Sequence, residues 1–223
     1  MAFPTTSVLT SFTGTDEDPL SEGGNWTGPI RTGKNPLRRV SNTVAAKTAG
    51  NNTNHMYWTT PTFGPDTEVF LTISTLPGNG SDFALWARVA SPASGSMAGY
   101  VLDYVGVTGA ANDTWDIYKF TSDAGALLGS LGTQEVSAGD KIGFEVVGSG
   151  ATVTCRGWYY NGSSWAQVGS DQTDSTGTRI TAAGFIGIEA SPLSSPGRAD
   201  DFGGGTVVVP TVSMPRQLLL GVG

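Results

Sequence analysis

Hydrophobic and polar positions alternate with a period of two in run after run of this chain. In "TEVFLTIS", Val69, Leu71 and Ile73 fall on one face, with Glu68, Phe70 and Thr72 on the other. "GYVLDYVGV" sets Tyr100, Leu102 and Tyr104 against Val101, Asp103 and Val105. "DKIGFEVVG" sets Ile142, Phe144 and Val146 opposite Glu145, and "TVTCRGWYY" and "GFIGIEA" follow the same rule. Successive side chains of a strand point to opposite faces, so each run predicts a β-strand. No long window keeps the three-and-four spacing of a helix without interruption by Gly, Pro or Asn. Turn formers separate the runs at short intervals: "PGNGSD", "SPASGS", "SDAG", "SAGD", "NGSS" and "SPLSSPGR". Roughly a dozen short strands so punctuated predict an all-β, antiparallel two-sheet sandwich of the jelly-roll kind. Several strands are apolar or aromatic on both faces, which predicts large sheets packed face to face.

The pattern changes at the end. "VVVPTVSMPRQLLLGVG" leaves the last strand, passes Pro210 and Pro215, and finishes in an apolar stretch. The reading is one sandwich domain over residues 1–209 and a C-terminal tail over 210–223. Met214, Leu218, Leu219 and Leu220 are the tail's candidate docking residues, because an apolar segment of this kind is expected to pack on its own domain or on a neighbour.

Composition narrows the function classes. Of 223 residues, 32 are glycine and only 14% are charged, which describes a turn-rich, ordered chain. Twelve basic residues against nineteen acidic ones leave a net charge of −7. That disfavours nucleic acid and anionic membranes, since both demand a basic surface. Arg31, Lys34, Arg38 and Arg39 lie close together and are read as solvated loop charges. The single cysteine, Cys155, excludes an intrachain disulfide and sits in a strand pattern, where it reads as a small buried hydrophobe. The N-terminal stretch has no basic segment followed by an apolar core, so the expectation is synthesis and folding in a cytoplasm without Sec export.

Candidate chemistry is sparse. The only histidine, His55, lies in "NNTNHMYW", away from any nucleophile-elbow pattern, and reads as a strand-edge residue. One Cys and one His cannot build a zinc site. Glu135, Asp140 and Glu145 are too widely spaced to be neighbours on one strand, and Asp113 and Asp116 would face opposite ways. A hydrolase is left only if carboxylates converge from different strands. Aromatic residues offer more. "CRGWYYNGSSW" gathers Trp158, Tyr159, Tyr160 and Trp165 around a hairpin, with Trp158 and Tyr160 on one face. Trp158, Tyr160, Trp165 and Trp115 are the candidate sugar-stacking residues, each weighed against a place in the core. "ADDFGGGTV" (199–207) contains Asp-Phe-Gly, but no kinase motif accompanies it and its glycines lead into a strand, so they mark a bulge or a close backbone approach.

The order of motifs resembles that of concanavalin A-like lectin/glucanase domains, the laminin-G-like jelly rolls. "SFTGTDEDPLSEGGNW" is similar to their first strand and loop. "MYWTTPTFGPDTEVFLTIS", "GYVLDY", "WDIYKF", "LGSL", "AGDKIGFEVVG" and "GFIGIEA" follow in order, and "ADDFGGGTV" closes the module. The resemblance covers about residues 7 to 209 and implies fold more than function, because the fold hosts lectins, hydrolases and structural modules. It implies a structural calcium at Asp201, without identifying the first-loop carbonyl ligands. No cofactor is expected to be required.

Three functions compete. A stand-alone, acidic, cysteine-poor jelly roll with an apolar tail resembles phage virion proteins. That implies a non-enzymatic decoration, tail or fibre-associated component on the virion surface, docked through the tail on capsid or tail proteins or on copies of itself. The alternative is a carbohydrate-binding, lectin-like module, with or without calcium, extracellular by a non-Sec route. A divergent glycoside hydrolase is the third reading.

Overall fold

The computed structural model describes residues 3–47, 53–107 and 113–208. Fifteen strands are found among them: β1 Val8–Thr10, β2 Trp26–Thr27, β3 Leu37–Val40, β4 Thr43–Ala46, β5 Asn54–Trp58, β6 Thr67–Thr75, β7 Asp82–Ala90, β8 Ala98–Val105, β9 Thr114–Thr121, β10 Ala124–Thr133, β11 Lys141–Val147, β12 Val153–Tyr160, β13 Trp165–Asp174, β14 Phe185–Ser191 and β15 Arg198–Thr206. The larger sheet runs β13-β12-β11-β6-β15-β4-β3, with β1 added against β15. The smaller runs β10-β9-β8-β7-β14-β5-β2. Their strands pair antiparallel, and β6 to β7, β10 to β11 and β13 to β14 each cross from one sheet to the other. This is the two-sheet jelly-roll sandwich that the alternation predicts.

The inward faces are those the period-two runs mark. Val69, Leu71, Ile73, Ile142, Phe144 and Val146 of the larger sheet meet Tyr100, Leu102, Tyr104, Ile186 and Ile188 of the smaller, and all are buried. Each such side chain contributes roughly 1.5–3 kcal/mol by leaving water, so the sandwich interior dominates stability. Phe202 is wholly buried between Trp26 and Trp58, as the anchor of the last strand. Cys155 is buried, and burial pushes its thiol well above the usual range.

The glycine run behaves as its context predicts. β15 is bulged between Asp200 and Gly203 and lies between β1 and β6. Gly204 has φ +148° and a Cβ there would collide with the Glu68 carbonyl, while one on Gly203 would enter the Phe70 ring. Only glycine allows the last strand to lie this close.

Two polar expectations need correction. Arg39 is not a solvated loop charge. It is 7% exposed and clamps the acidic first loop, donating to the Thr15 carbonyl (2.7 Å) and pairing with Glu17 (2.9 Å) and Glu22 (3.3 Å). The partners of its side chain, the Thr13 carbonyl included, lie 17 to 26 residues away, beyond any local pattern. His55 is not a strand-edge residue either. It is fully buried in β5, between β14 and β2, where its Nδ1 accepts the Ile30 amide (2.9 Å). Burial drives its pKa down to about 3, so the ring is neutral.

Candidate functional site

The outward face of the larger sheet carries the predicted aromatic residues. The hairpin of β12 and β13 pairs Tyr160 with Trp165 and Trp158 with Gln167, so the side chains of Trp158, Tyr160 and Trp165 project from one side. Trp165 and Tyr160 pack with ring centroids 5.4 Å apart. Between Trp158 and Trp165 lies Phe3, parallel to the first at 5.1 Å and edge-on to the second at 4.8 Å. The Phe3 ring occupies the hollow left by Gly143, where a Cβ would strike it. The strap that delivers it is fastened to the buried carboxylate of Glu68, which accepts the amides of Thr5 (2.6 Å) and Thr6 (2.5 Å). The predicted cluster therefore exists, with one face of Trp158 already covered from within the chain.

Trp115 does not belong to it. In β9, Trp115 and Ile117 alternate with Asp116 and Tyr118, and the first pair points into the sandwich. Trp115 is wholly buried against Tyr104, its indole donating to the Gln134 carbonyl (2.8 Å). It is a core residue and cannot stack on a ligand.

Beside the aromatic shelf lies a cleft of about 530 Å³, lined by Asp66, Glu145, Arg156, Trp158, Gln167 and Asp171, with Val147 and Val207 as its apolar walls. Register explains how these residues meet. Glu145 and Arg156 are paired across β11 and β12. The register of β12 and β13 shifts between Cys155 and Gly157, and this brings Asp171 level with Arg156. The guanidinium then binds Asp171 through two parallel bonds of 2.9 Å and Glu145 through one of 3.0 Å. Hydrogen bonding to Asp171, then to Glu145, raises the Arg156 pKa further, and the same guanidinium holds Asp171 below the ordinary carboxylate range. Such fork-to-fork pairs fix geometry as well as charge. Gln167 braces the assembly by donating to Asp171 (2.8 Å). Asp66 accepts the Gly148 amide (2.7 Å) and lies 3.8 Å from the buried Arg88. The Trp158 indole nitrogen is buried at the cleft and has no protein acceptor. The cleft thus offers an aromatic wall, carboxylate acceptors and guanidinium and amide donors.

The outward face of the smaller sheet holds a grouping that no local motif announces. Glu189 of β14, Ala84 of β7 and Asp103 of β8 stand in one register row, and Asp82 lies two residues along β7 from Ala84. The three carboxyls surround a small residue. Trp86, Tyr118 and Phe120 wall a groove of about 140 Å³ beside them. Glu189 accepts the Trp86 indole N–H (2.9 Å), and Asp82 accepts the Ser191 amide (3.0 Å). Burial, then neighbouring acids, raises the pKa of Asp82 and Asp103, to about 9 and about 7; burial likewise raises that of Glu189. Carboxylates do converge from separate strands here. The signal was present only as Asp103 and Glu189 on the non-core faces of their runs.

Asp201 projects outward beside Phe202, as alternation predicts, but its surroundings do not suit calcium. Its carboxylate is engaged by the Lys141 ammonium (3.3 Å) and the Thr72 hydroxyl (3.2 Å). Among the described residues no group of three or more His, Cys, Asp or Glu side chains converges to hold a metal. Of the acids of the first loop, Glu17 and Glu22 pair with Arg39, Asp18 pairs with Lys47, and Asp16 accepts the Ser41 amide. Met214, Leu218, Leu219 and Leu220 lie outside the described residues, which end at Val208, whose amide donates to Thr5 Oγ1 (2.9 Å) near the cleft.

No family model and no curated protein matches the sequence. Solved structures do match the fold. The carbohydrate recognition domain of Emp46p in its potassium-bound form has a TM-score of 0.56 at 10% identity, covering 91% of this chain and 97% of that one. The exoplasmic/lumenal domain of VIP36, in a form bound to Ca2+ and Man2, has a TM-score of 0.57 at 10% identity, with 93% and 90% covered. The carbohydrate-binding module CBM66 from Bacillus subtilis has a TM-score of 0.51 at 16% identity, with 84% and 96% covered. At these identities the likeness speaks for architecture: the chain has the concanavalin A-like lectin fold.

Proposed function

We propose that this protein is a carbohydrate-binding module and that it holds its glycan in the cleft between β11, β12 and β13. The observation that carries this reading is the joint placement of Trp158, Arg156, Asp171, Glu145 and Gln167 around one cavity of about 530 Å³. Sugar rings present apolar faces to an indole and hydroxyls to carboxylates, guanidinium and amide. A cavity of this volume is within the usual range for small-ligand sites. Support comes from the fold, which the protein shares with domains whose names describe carbohydrate recognition. Calcium is not part of the reading, given the Lys141 contact at Asp201. Docking on a virion would rest on residues 210–223, outside the described residues, and neither the cleft nor the comparisons support it.

A glycan array followed by titration calorimetry tests the proposal. Gln167→Ala and Asp171→Asn should each weaken binding about tenfold, the loss typical of one or two buried polar contacts. Asp103→Asn, on the opposite sheet, should leave it unchanged. Loss of binding in Asp103→Asn alone would move the glycan to the other face. Absence of any glycan ligand would end the reading.

A further inference from the structure

We infer that the cleft discriminates among sugars by charge: it prefers a hexosamine with a free amine, accepts a neutral hexose less well, and rejects a hexuronate. This rests on the glycan reading above. The argument is a charge count around the cavity. Asp66, Glu145 and Asp171 are three carboxylates, and Arg156 is the one cation among the lining residues. That cation is not free to receive an anion. Three of its five N–H groups are committed, two to Asp171 and one to Glu145, so its charge is already matched by two carboxylates, and the two N–H groups left over serve a neutral hydroxyl. Arg88 stands behind Asp66, but it is wholly buried and its guanidinium donates to the carbonyls of Ile180, Val146 and Gly148. Even with Arg88 included, negative charge exceeds positive by one. Glu68, next to Glu145 in register on β6, adds to the excess.

Geometry places the excess where a ligand would meet it. Asp66 and Asp171 have side chains 42% exposed, on opposite sides of the cleft, with Asp66 before β6 and Asp171 on β13. Glu145, 6% exposed, forms the inner part. A ligand entering over Trp158 therefore passes between two solvent-facing carboxylates. A protonated amine gains an ion pair with either, whereas a sugar carboxylate meets like charge on both sides and a guanidinium whose charge Asp171 and Glu145 already balance. The net charge of −7 on the whole chain acts in the same direction at longer range.

The test uses the full chain and oligosaccharides of gluco, manno and galacto configuration, each as neutral hexose, free hexosamine and hexuronate. Titrations are run at low salt and mildly acidic pH, where amines are protonated. In whichever configuration binds, the hexosamine should exceed the hexose by about threefold to fivefold, the worth of one partly exposed ion pair. The hexuronate should be the weakest, and added salt should shrink both gaps. Asp66→Asn should lower hexosamine affinity more than hexose affinity. Asp171→Asn, which releases two Arg156 donors, should raise hexuronate affinity. Binding of a hexuronate as tight as that of its hexose, or variants that lower all three sugars equally, would overturn the charge inference and leave glycan binding standing. Failure of every sugar to bind would overturn the glycan reading itself.

Discussion

The two outward faces of the sandwich use the same kinds of side chain and reach opposite states of charge. On the larger sheet, Arg156 stands between Glu145 and Asp171 and bonds both, and it holds Asp171 below the ordinary carboxylate range. On the smaller sheet, Asp82, Asp103 and Glu189 gather around Ala84, and burial holds their protons to higher pH although Arg31 and Lys34 act against it at Glu189. A guanidinium placed between carboxylates converts mutual repulsion into a rigid fork, whereas on the smaller sheet burial first, then the neighbouring acids at Asp82 and Asp103, favours the protonated form. Shielding differs as well. The strap from Phe3 to Thr6 lies across part of the larger sheet, and Ile30, Met97 and Val89 pack with Trp86 on the smaller.

The contrast can be broken most severely at the strap. Phe3→Ala removes a ring that is 6% exposed and sandwiched by two indoles, and should cost about 3 kcal/mol in urea unfolding, the lower end for a buried aromatic. Next comes the fork. Arg156→Leu strands the buried Glu145 and should cost about 2 kcal/mol, less than for a fully buried pair because Arg156 itself is partly exposed. An Arg156→Leu, Glu145→Leu double variant should recover part of that loss.

The acids of the smaller sheet make a pH prediction. Their folded-state pKa values lie above those of the unfolded chain. Between the two values the folded state holds more protons, so stability is full at acid pH and declines as pH rises from about 4 to about 9. Asp103→Asn removes one ionisation and should be more stable than the parent at alkaline pH by on the order of 1 kcal/mol, with little difference below pH 4. Equal pH profiles for parent and variant would erase the proposed contrast. The smallest effect belongs to Asp201→Asn, which breaks a partly exposed pair with Lys141 and should change stability by under about 0.5 kcal/mol, with or without calcium.

Sequence and structure agree where the information is local. The split of Val69, Leu71 and Ile73 from Phe70 follows from the period of a strand, as does that of Trp158 and Tyr160 from Tyr159. The glycines before "TVV" were readable because no helix follows them. Trp115 was readable too, since Asp116 and Tyr118 mark the opposite face of its strand, yet its aromatic character drew it into the candidate site. The fork at Arg156 depends on a register shift in β12 and β13, and the acid group depends on β14 lying beside β7. These are pairings between distant strands, which no spacing along the chain encodes. Arg39 illustrates the same limit, because a clustered basic run gave no sign that one member would be drawn inside by acids of the first loop.

The bond between the Val208 amide and the Thr5 hydroxyl has a consequence for handling the molecule. It ties the two ends of the described chain together on the face that bears the cleft. A carrier fused directly after Val208 starts from that side of the sandwich and presents the smaller sheet to the bulk. Immobilisation through an engineered cysteine at an exposed position on β10, such as Leu127, would instead leave the cleft open to a soluble sugar. The attachment point chosen for a binding assay is therefore itself a variable of the measurement.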